Sequence, residues 1–261
     1  KKYQVEYVQM VPTLMQRIVK LPGFSKDDMK SIKALCHTGG ICSKDLKYQW
    51  LDIIPPDRVY EMYSMTECIG MTNIRGDEWL KHPGSVGKML DGTISIRDED
   101  GKELPAGEIG IIYMCWPNSP NVEYVNVAPI EKDTSGYRTV GDMGYVDEDG
   151  YLYFADRRSD MIVTGGENVF AAEVEAVLKK HKKVVDAVVI GLPDSEWGHR
   201  IHAIVEASEP VTDKELIKFS LNFLPPYKIP KSFEFVDSIP RNESGKVVRS
   251  VLIQESLKKG F

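Results

Sequence analysis

The run 137–175, YRTVGDMGYVDEDGYLYFADRRSDMIVTGGENVFAAEVE, constrains the fold more than any other part of this chain. Tyr151, Leu152, Tyr153 and Phe154 suit a strand entered through a turn at Glu148, Asp149 and Gly150, with Asp142 left at the end of an earlier segment. Asp156, Arg157, Arg158, Ser159 and Asp160 then place five polar residues ahead of the apolar Met161, Ile162 and Val163. Such an interruption is what a solvated connector between two separately packed units looks like. Gly165 and Gly166 permit positive φ and close backbone approach. From Val169 the pattern turns into an amphipathic helix with Val174, Val177 and Leu178 on one face. An ordinary strand, turn and helix with a charged surface loop fits the same residues.

Before this run, Pro12 opens a helix with Leu14, Met15, Ile18 and Val19 on its apolar side, and Pro22 with Gly23 ends it. Ser25 and Asp28 mark a second capped start. Residues 32–36 read as a short buried strand running into Gly39 and Gly40, the strand-to-loop geometry where α/β sheets place ligands. Residues 59–63 repeat the scheme ahead of Thr66 and Glu67. The stretch 84–116 alternates apolar and polar residues around Asp100-Gly101 and Ala106-Gly107 turns, which predicts antiparallel hairpins, and 117–134 reads as irregular. Beyond the connector the expected elements are a helix at 170–180, strands at 184–191 and 201–206, a helix from 213, a strand at 232–237 and a last helix from Val247. Thr212 and Glu215 form a capping box for the middle helix. The fold class is therefore α/β followed by a smaller α+β unit of about 100 residues.

Charge removes some function classes. With 33 Lys and Arg against 39 Asp and Glu in 261 residues, the net charge is −6, and nothing suggests a nucleic-acid partner. No apolar run approaches the roughly 18 residues of a transmembrane span and no signal peptide opens the chain, so the cytoplasm is the expected location. Cys36, Cys42, Cys68 and Cys115 show neither metal-ligand spacing nor a secreted disulfide framework, and are expected as reduced thiols. His37, His82, His181, His199 and His202 have no visible serine, cysteine or metal partner, which points to surface or packing roles.

Five segments in order carry a resemblance to a known family. HTGGICS resembles a GGAPL loop, YSMTE a YGxTE motif, YRTVGD a ribose-binding motif, DRRSDMIVTGGENV a hinge motif GRxDxIxxGGxN, and PRNESGK a lysine motif PxxxxGK. Together they resemble the acyl-adenylate-forming, AMP-binding superfamily: acyl-CoA synthetases, firefly luciferases and peptide-synthetase adenylation domains. TGGENVFAAEVE and GLPDSEWGHRIHAIV are most similar to bacterial acyl-CoA synthetases of fatty, aromatic or steroid-type acids. The resemblance implies that 1–158 is the C-terminal part of the nucleotide-binding domain, with 84–155 as a small β-barrel subdomain, and that 159–261 is a C-terminal lid. The family's phosphate loop, which lies upstream of the Gly39 equivalent, has no counterpart here. The chain, which opens on Lys1, is thus expected to be the C-terminal half of a longer enzyme and inactive alone.

The implied reaction joins a carboxylic acid to the α-phosphate of ATP, expels pyrophosphate, and passes the acyl group to coenzyme A. Positive charge and Mg²⁺ must offset the charge that grows on phosphorus. By resemblance, Lys246 bridges the carboxylate and the α-phosphate, and Thr66 donates to a phosphate oxygen. Glu67 is the implied ligand of Mg²⁺. Gly39 and Gly40 would pass close to the adenine or acyl group, Tyr63 would stack on the adenine, and Asp142 and Arg157 would meet the ribose. After rotation about Ser159, Gly165 and Gly166 would admit the pantetheine arm, with Trp197 stacked on the coenzyme adenine and Tyr227 and Lys228 as weaker contacts. Ser64 stands where the family has glycine, Val140 where it has threonine, and Ser159 where it has aspartate or lysine. Residues 60–71 would supply one wall of the acyl pocket, with Met62, Met65 and Met71 as an adaptable apolar surface. Two alternatives stay open: transfer to a carrier-protein thiol, and a non-catalytic piece that binds nucleotide weakly or supports assembly. A homodimer also stays open.

Overall fold

Packing separates the chain between Phe154 and Ala155 into units Lys1–Phe154 and Ala155–Phe261. The computed structural model describes residues 3–120, 122, 125, 129–243 and 245–261. In the first unit, β1 (Tyr7–Met10), β2 (Ala34–His37) and β3 (Val59–Ser64) pair in parallel. Parallel neighbours need long crossovers, and α1 (Pro12–Val19) and α2 (Lys44–Ile53) supply them. Pro12 sits at the first helical position, where its missing N–H goes unneeded, and Met15 is buried. The Ser43 hydroxyl caps α2 by accepting the Leu46 N–H at 3.3 Å. β4 (Met71–Arg75) runs antiparallel to β3; α3 (Gly76–Trp79) and β5 (Lys88–Met89) complete a sheet of order β1-β2-β3-β4-β5. Its core is built on Leu35, Trp50, Ile54, Val59, Ile74 and Trp79.

A second sheet follows in the order β6 (Thr93–Arg97), β7 (Gly110–Cys115), β8 (Asp142–Val146) and β9 (Leu152–Arg157). The expected hairpin is β6 with β7, Thr93 facing Cys115 and Arg97 facing Ile111. Ile69, Ile96, Ile112, Met114 and Leu152 pack on it. These four strands give this part of the chain the β-rich character expected of it, and an isolated antiparallel bridge adds Gly87 beside Leu152 of β9. Within the irregular stretch 117–134, residues 121, 123, 124 and 126–128 lie outside the described residues.

The second unit opens with a hairpin of β10 (Met161–Thr164) and β11 (Glu167–Phe170), followed by α4 (Ala171–Leu178). β12 (Val184–Asp194) and β13 (Gly198–Ala207) pair antiparallel, α5 (Asp213–Ser220) crosses over, and β14 (Ser232–Val236) joins β13 in parallel. The last helix is α6 (Arg249–Lys258). Successive strand residues point to opposite faces. Ala187 and Val189 therefore pack with Val174 and Leu178 of α4 and Leu216 of α5, while Val188, Ile190 and Leu192 pack with Leu252 of α6. A strand covered on both faces reads as a continuous apolar run, which is why this stretch lacks alternation.

Several expectations change. The connector is much shorter than five solvated residues, because β9 continues through Asp156 and Arg157. Asp156 is buried: its carboxylate accepts the Ala172 N–H at 2.9 Å, a donor that the first turn of α4 leaves unpaired, and the N–H of its own neighbour Arg157 at 2.8 Å. Only the 3-10 turn Arg158–Asp160 remains as connector. The helix expected from Val169 starts at Ala171, since Val169 pairs with Ile162 in the hairpin. β12 and β13 run on to Asp194 and Gly198 because the Asp194 carboxylate accepts the Glu196 and Trp197 N–H groups, each at 3.0 Å, and turns the chain. The box at Ser25 and Asp28 caps a single 3-10 turn, Lys26–Met29. Thr212 accepts the Glu215 N–H at 3.2 Å, but the Glu215 carboxylate lies 3.1 Å from Lys183 Nζ, so half of that box forms. The last helix begins at Arg249 instead of Val247. Among the described residues, no helix is long and apolar enough to cross a membrane.

Candidate active site

β2 and β3 end side by side, His37 opposite Glu61, and the loops that leave their C-terminal ends carry the first group of candidates. Gly39 has φ +78°, a left-handed conformation that a side chain rarely adopts, and a β-carbon there would meet Val11 Cγ1 at 3.4 Å. Gly40 is under no such constraint; its nearest neighbour would be Pro12 Cδ at 3.7 Å.

Tyr63 at the end of β3 and Asp142 at the start of β8 are brought together. The Tyr63 hydroxyl donates to Asp142 Oδ2 at 2.6 Å, and the tyrosine ring leans on Phe154 with centroids 5.7 Å apart. Asp142 is 6% exposed, a buried carboxylate with strong acceptor capacity. Thr66 and Glu67 occupy the turn after β3. That turn is closed by the Cys68 N–H on the Met65 carbonyl at 3.0 Å, with Cys68 left-handed at φ +51°. Its end is pinned where the Ser119 hydroxyl donates to the Cys68 carbonyl at 2.8 Å and Arg138 donates to Ser119. Thr66 is exposed and Glu67 half-buried.

Beneath these loops lies a charged cluster that the sequence reading did not foresee. Lys47 Nζ, fully buried, is 3.2 Å from Glu61 Oε2 and 2.5 Å from His37 Nε2. Burial pushes the Glu61 carboxyl up while Lys47 draws it back down. Burial and the same lysine hold His37 well below the usual histidine range, so its imidazole is neutral and Nε2 can accept. A signal existed: Lys47 lies three and four residues before Trp50 and Leu51, on the helix face that is otherwise apolar.

In the second unit, Gly165 and Gly166 form the two-residue turn of the β10–β11 hairpin, with φ +58° and +84°, the pair of positive angles that a type I′ turn requires. The Gly165 N–H donates to the Trp197 carbonyl at 2.9 Å, and a β-carbon at Gly165 would fall 2.6 Å from Trp197 Cε3. At Gly166 nothing lies within 4 Å. Gly165, Gly166 and Trp197 thus share one surface, with the indole 41% exposed. Lys231 joins them, its Nζ 3.7 Å from the indole centroid. It arrives from beside β14, a tertiary approach with no local sequence signal.

The other candidates are on further segments of the second unit. Tyr227 and Lys228 are on the 3-10 turn Pro226–Lys228, and Lys228 Nζ is paired with Glu173 Oε2 at 2.6 Å. Arg157 is exposed at the end of β9, and the Ser159 hydroxyl donates to Asp160 Oδ1 at 3.3 Å. Lys246 is exposed in a turn closed by its own N–H on Asn242 Oδ1 and by the Asn242 N–H on its carbonyl, both 2.9 Å, with Gly245 at φ +77°. Ser244 in the same motif lies outside the described residues. All four cysteines are free thiols. Histidines pack: His82 stacks on Tyr151 at 3.6 Å, His181 meets the edge of Phe219 at 4.9 Å, and His202 is buried, its pKa lowered by desolvation to about 4. Among the described residues, no cluster of three or more His, Cys, Asp or Glu could cage a metal ion.

Residues 1–119 match the family model for AMP-binding enzymes, and residues 173–246 match that for the AMP-binding enzyme C-terminal domain. The chain is 36% identical over 259 residues to a 2-succinylbenzoate–CoA ligase of Bacillus licheniformis, an alignment covering 97% of this chain and 52% of that protein. It is 33% identical over 259 residues to the fatty acid–[acyl-carrier-protein] ligase ScoC of Streptomyces coeruleorubidus, covering 93% and 48%. Among solved structures, the o-succinylbenzoate CoA synthetase of Bacillus subtilis with its acyl-adenylate intermediate superimposes with a TM-score of 0.82 at 32% identity, over 96% of this chain and 51% of that one. The chain spans about half the length of the relatives it matches.

Proposed function

Because the chain belongs to the AMP-binding, acyl-adenylate-forming enzymes, we propose that it is the C-terminal half of the machinery of an ATP-dependent acyl-CoA synthetase. In this reading a carboxylic acid and ATP form an acyl-adenylate and pyrophosphate, and coenzyme A then takes the acyl group as a thioester with release of AMP. The observation that carries it is the Tyr63 to Asp142 hydrogen bond of 2.6 Å. It joins two residues taken from separate motifs for the same nucleotide, one as the adenine platform and the other as the ribose acceptor. The names of the relatives, a CoA ligase and a CoA synthetase among them, support the same reaction class.

The residues divide by half-reaction. Thr66 donates to a phosphate oxygen, and Lys246 spans the carboxylate and α-phosphate, where an ammonium offsets the charge developing on phosphorus. Glu67 would hold Mg²⁺ through a carboxylate oxygen, and the ion would supply positive charge against the phosphates; an ion that keeps most of its water needs no more than one such ligand from protein. Arg157 adds a ribose contact and Ser159 is the swivel between a lid of 159–261 and the nucleotide domain. The glycine hairpin and Trp197 serve the thiol step: bare backbone at Gly166 leaves room for a thin pantetheine arm, and the exposed indole offers a stacking face. Lys228 is the weakest of the candidates, because Glu173 already holds its ammonium.

The acyl-carrier-protein ligase among the relatives favours a second reading, in which a carrier thiol replaces coenzyme A. The deciding experiment uses a protein of the relatives' full length that contains this chain. Pyrophosphate release is measured over an acid panel, and then thioester formation with coenzyme A and with a phosphopantetheinylated carrier. Acid-dependent release with coenzyme A as the better acceptor supports the first reading, a carrier preference supports the second, and release without any acid response contradicts both.

A further inference from the structure

Arg249 occupies the first position of α6, where the helix dipole disfavours a cation, and its side chain is only 23% exposed. Both anomalies have one cause. Nη1 donates to Asp160 Oδ2 at 2.9 Å, Nη2 to Glu175 Oε1 at 2.6 Å, and Nε to the Val189 carbonyl at 3.4 Å. Asp160 belongs to the connector turn that holds Ser159. Glu175 is on α4, and its Oε1 also accepts the Val189 N–H at 2.9 Å, which locks helix to strand. The carboxylates of Asp160 and Glu175 are 17% and 11% exposed, so these pairs are largely shielded from water and salt.

Lys246 precedes Arg249 by three residues, in the turn closed between Asn242 and Lys246. On the other side of that turn Arg241 donates to the Gly245 carbonyl at 2.9 Å and pairs with Asp186 on β12. Arg241 therefore holds the turn directly, and Arg249, three residues beyond it in the chain, reaches the connector.

We propose that Arg249 is a positioning residue that fastens the Lys246 turn to the connector turn at Ser159, so that rotation about Ser159 carries the lysine as part of one rigid piece. The inference rests on the adenylation reading above. A guanidinium suits the task because its planar fork addresses two carboxylates at fixed angles, which a single ammonium cannot do.

The test compares Arg249→Gln, Arg249→Lys and Asp160→Asn, the activity arms in a protein of the relatives' full length. Arg249→Gln is expected to lower kcat for acid-dependent pyrophosphate release at least ~30-fold while KM for ATP and acid moves less than ~3-fold, and to leave thioester formation from supplied acyl-AMP within ~3-fold. Asp160→Asn gives a loss of the same order, the double variant loses no more than the larger single change, and Arg249→Lys recovers part of the rate. A readout independent of activity comes from amide exchange in this chain. Arg249→Gln should speed exchange at 158–162 and 245–249 together by about tenfold, with the centres of β12 and β13 unchanged. Additive losses in the double variant, equal losses in both half-reactions, or faster exchange throughout β12 and β13 would each overturn the proposal. A wild-type protein that forms no acyl-adenylate overturns the adenylation reading, and the exchange data then decide the fastening by themselves.

Discussion

Alanine at Gly165 and at Gly166 separates backbone strain from crowding, because both positions have positive φ, +58° and +84°, and only the first has a neighbour in the way. Each substitution incurs about 1–2 kcal/mol for placing a β-carbon in the left-handed region. At Gly166 that is the whole effect, since the new methyl enters open space. At Gly165 the methyl would fall 2.6 Å from Trp197 Cε3. This is about 1 Å inside the optimum for two carbons, so the indole has to move. Moving it gives up the Lys231 contact at 3.7 Å, about 0.5–1 kcal/mol at a partly exposed site. It also strains the 2.9 Å bond from the Gly165 N–H to the Trp197 carbonyl, a further ~1 kcal/mol. The expected totals are about 2.5–4 kcal/mol for Gly165→Ala and about 1–2 kcal/mol for Gly166→Ala. For a unit of this size the difference corresponds to roughly 5–10 °C in Tm. Thermal melting with acrylamide quenching of tryptophan fluorescence reads both effects: only Gly165→Ala should make the indole more accessible. Equal Tm losses with unchanged quenching in both variants would refute the assigned packing of Trp197 on the hairpin.

Two further outcomes follow from buried charge. Lys47→Met leaves Glu61 buried without its ammonium and is expected to destabilise the first unit by about 3–5 kcal/mol, with Lys47→Met/Glu61→Gln recovering at least ~1 kcal/mol; a single-variant loss under ~1 kcal/mol in denaturant titration would contradict the cluster. His202 has a pKa lowered by desolvation from 6.5 to about 4, so between these values the unfolded chain binds a proton that the folded one does not, and stability rises with pH across that window. Between pH 7.5 and pH 5 this imidazole alone removes about 2 kcal/mol. His202→Gln should lose correspondingly less over the same interval, and parallel losses in the two proteins would show that another group is responsible.

What could be read from the residues follows the range of the interactions. The Pro12 helix start and the Ser25 and Thr212 caps depend on neighbours within four residues, and they lie within a few positions of expectation. The hairpin of β6 and β7 was legible through the alternation in its first strand and the glycine turns that follow it. Asp156 was misjudged as a solvated linker residue because sequence displays its charge and conceals the helix N–H group that claims it. The pairs Tyr63 with Asp142, Lys231 with Trp197, and Arg249 with Asp160 and Glu175 join segments far apart in the chain. Motif order placed Tyr63 and Asp142 on one nucleotide. It had no means of locating Lys231 or Arg249, which act through tertiary approach.

In the proposed function Lys246 serves adenylation alone. In a protein of the relatives' full length, Lys246→Ala should reduce acid-dependent exchange between ATP and pyrophosphate at least ~100-fold, the scale of losing one preorganised charge at a developing anion. Thioester formation from supplied acyl-AMP and coenzyme A should stay within ~3-fold of wild type, since the proposed function assigns that step to the face bearing Gly165, Gly166 and Trp197. Equal loss of both reactions, or exchange that survives without the lysine, would contradict it.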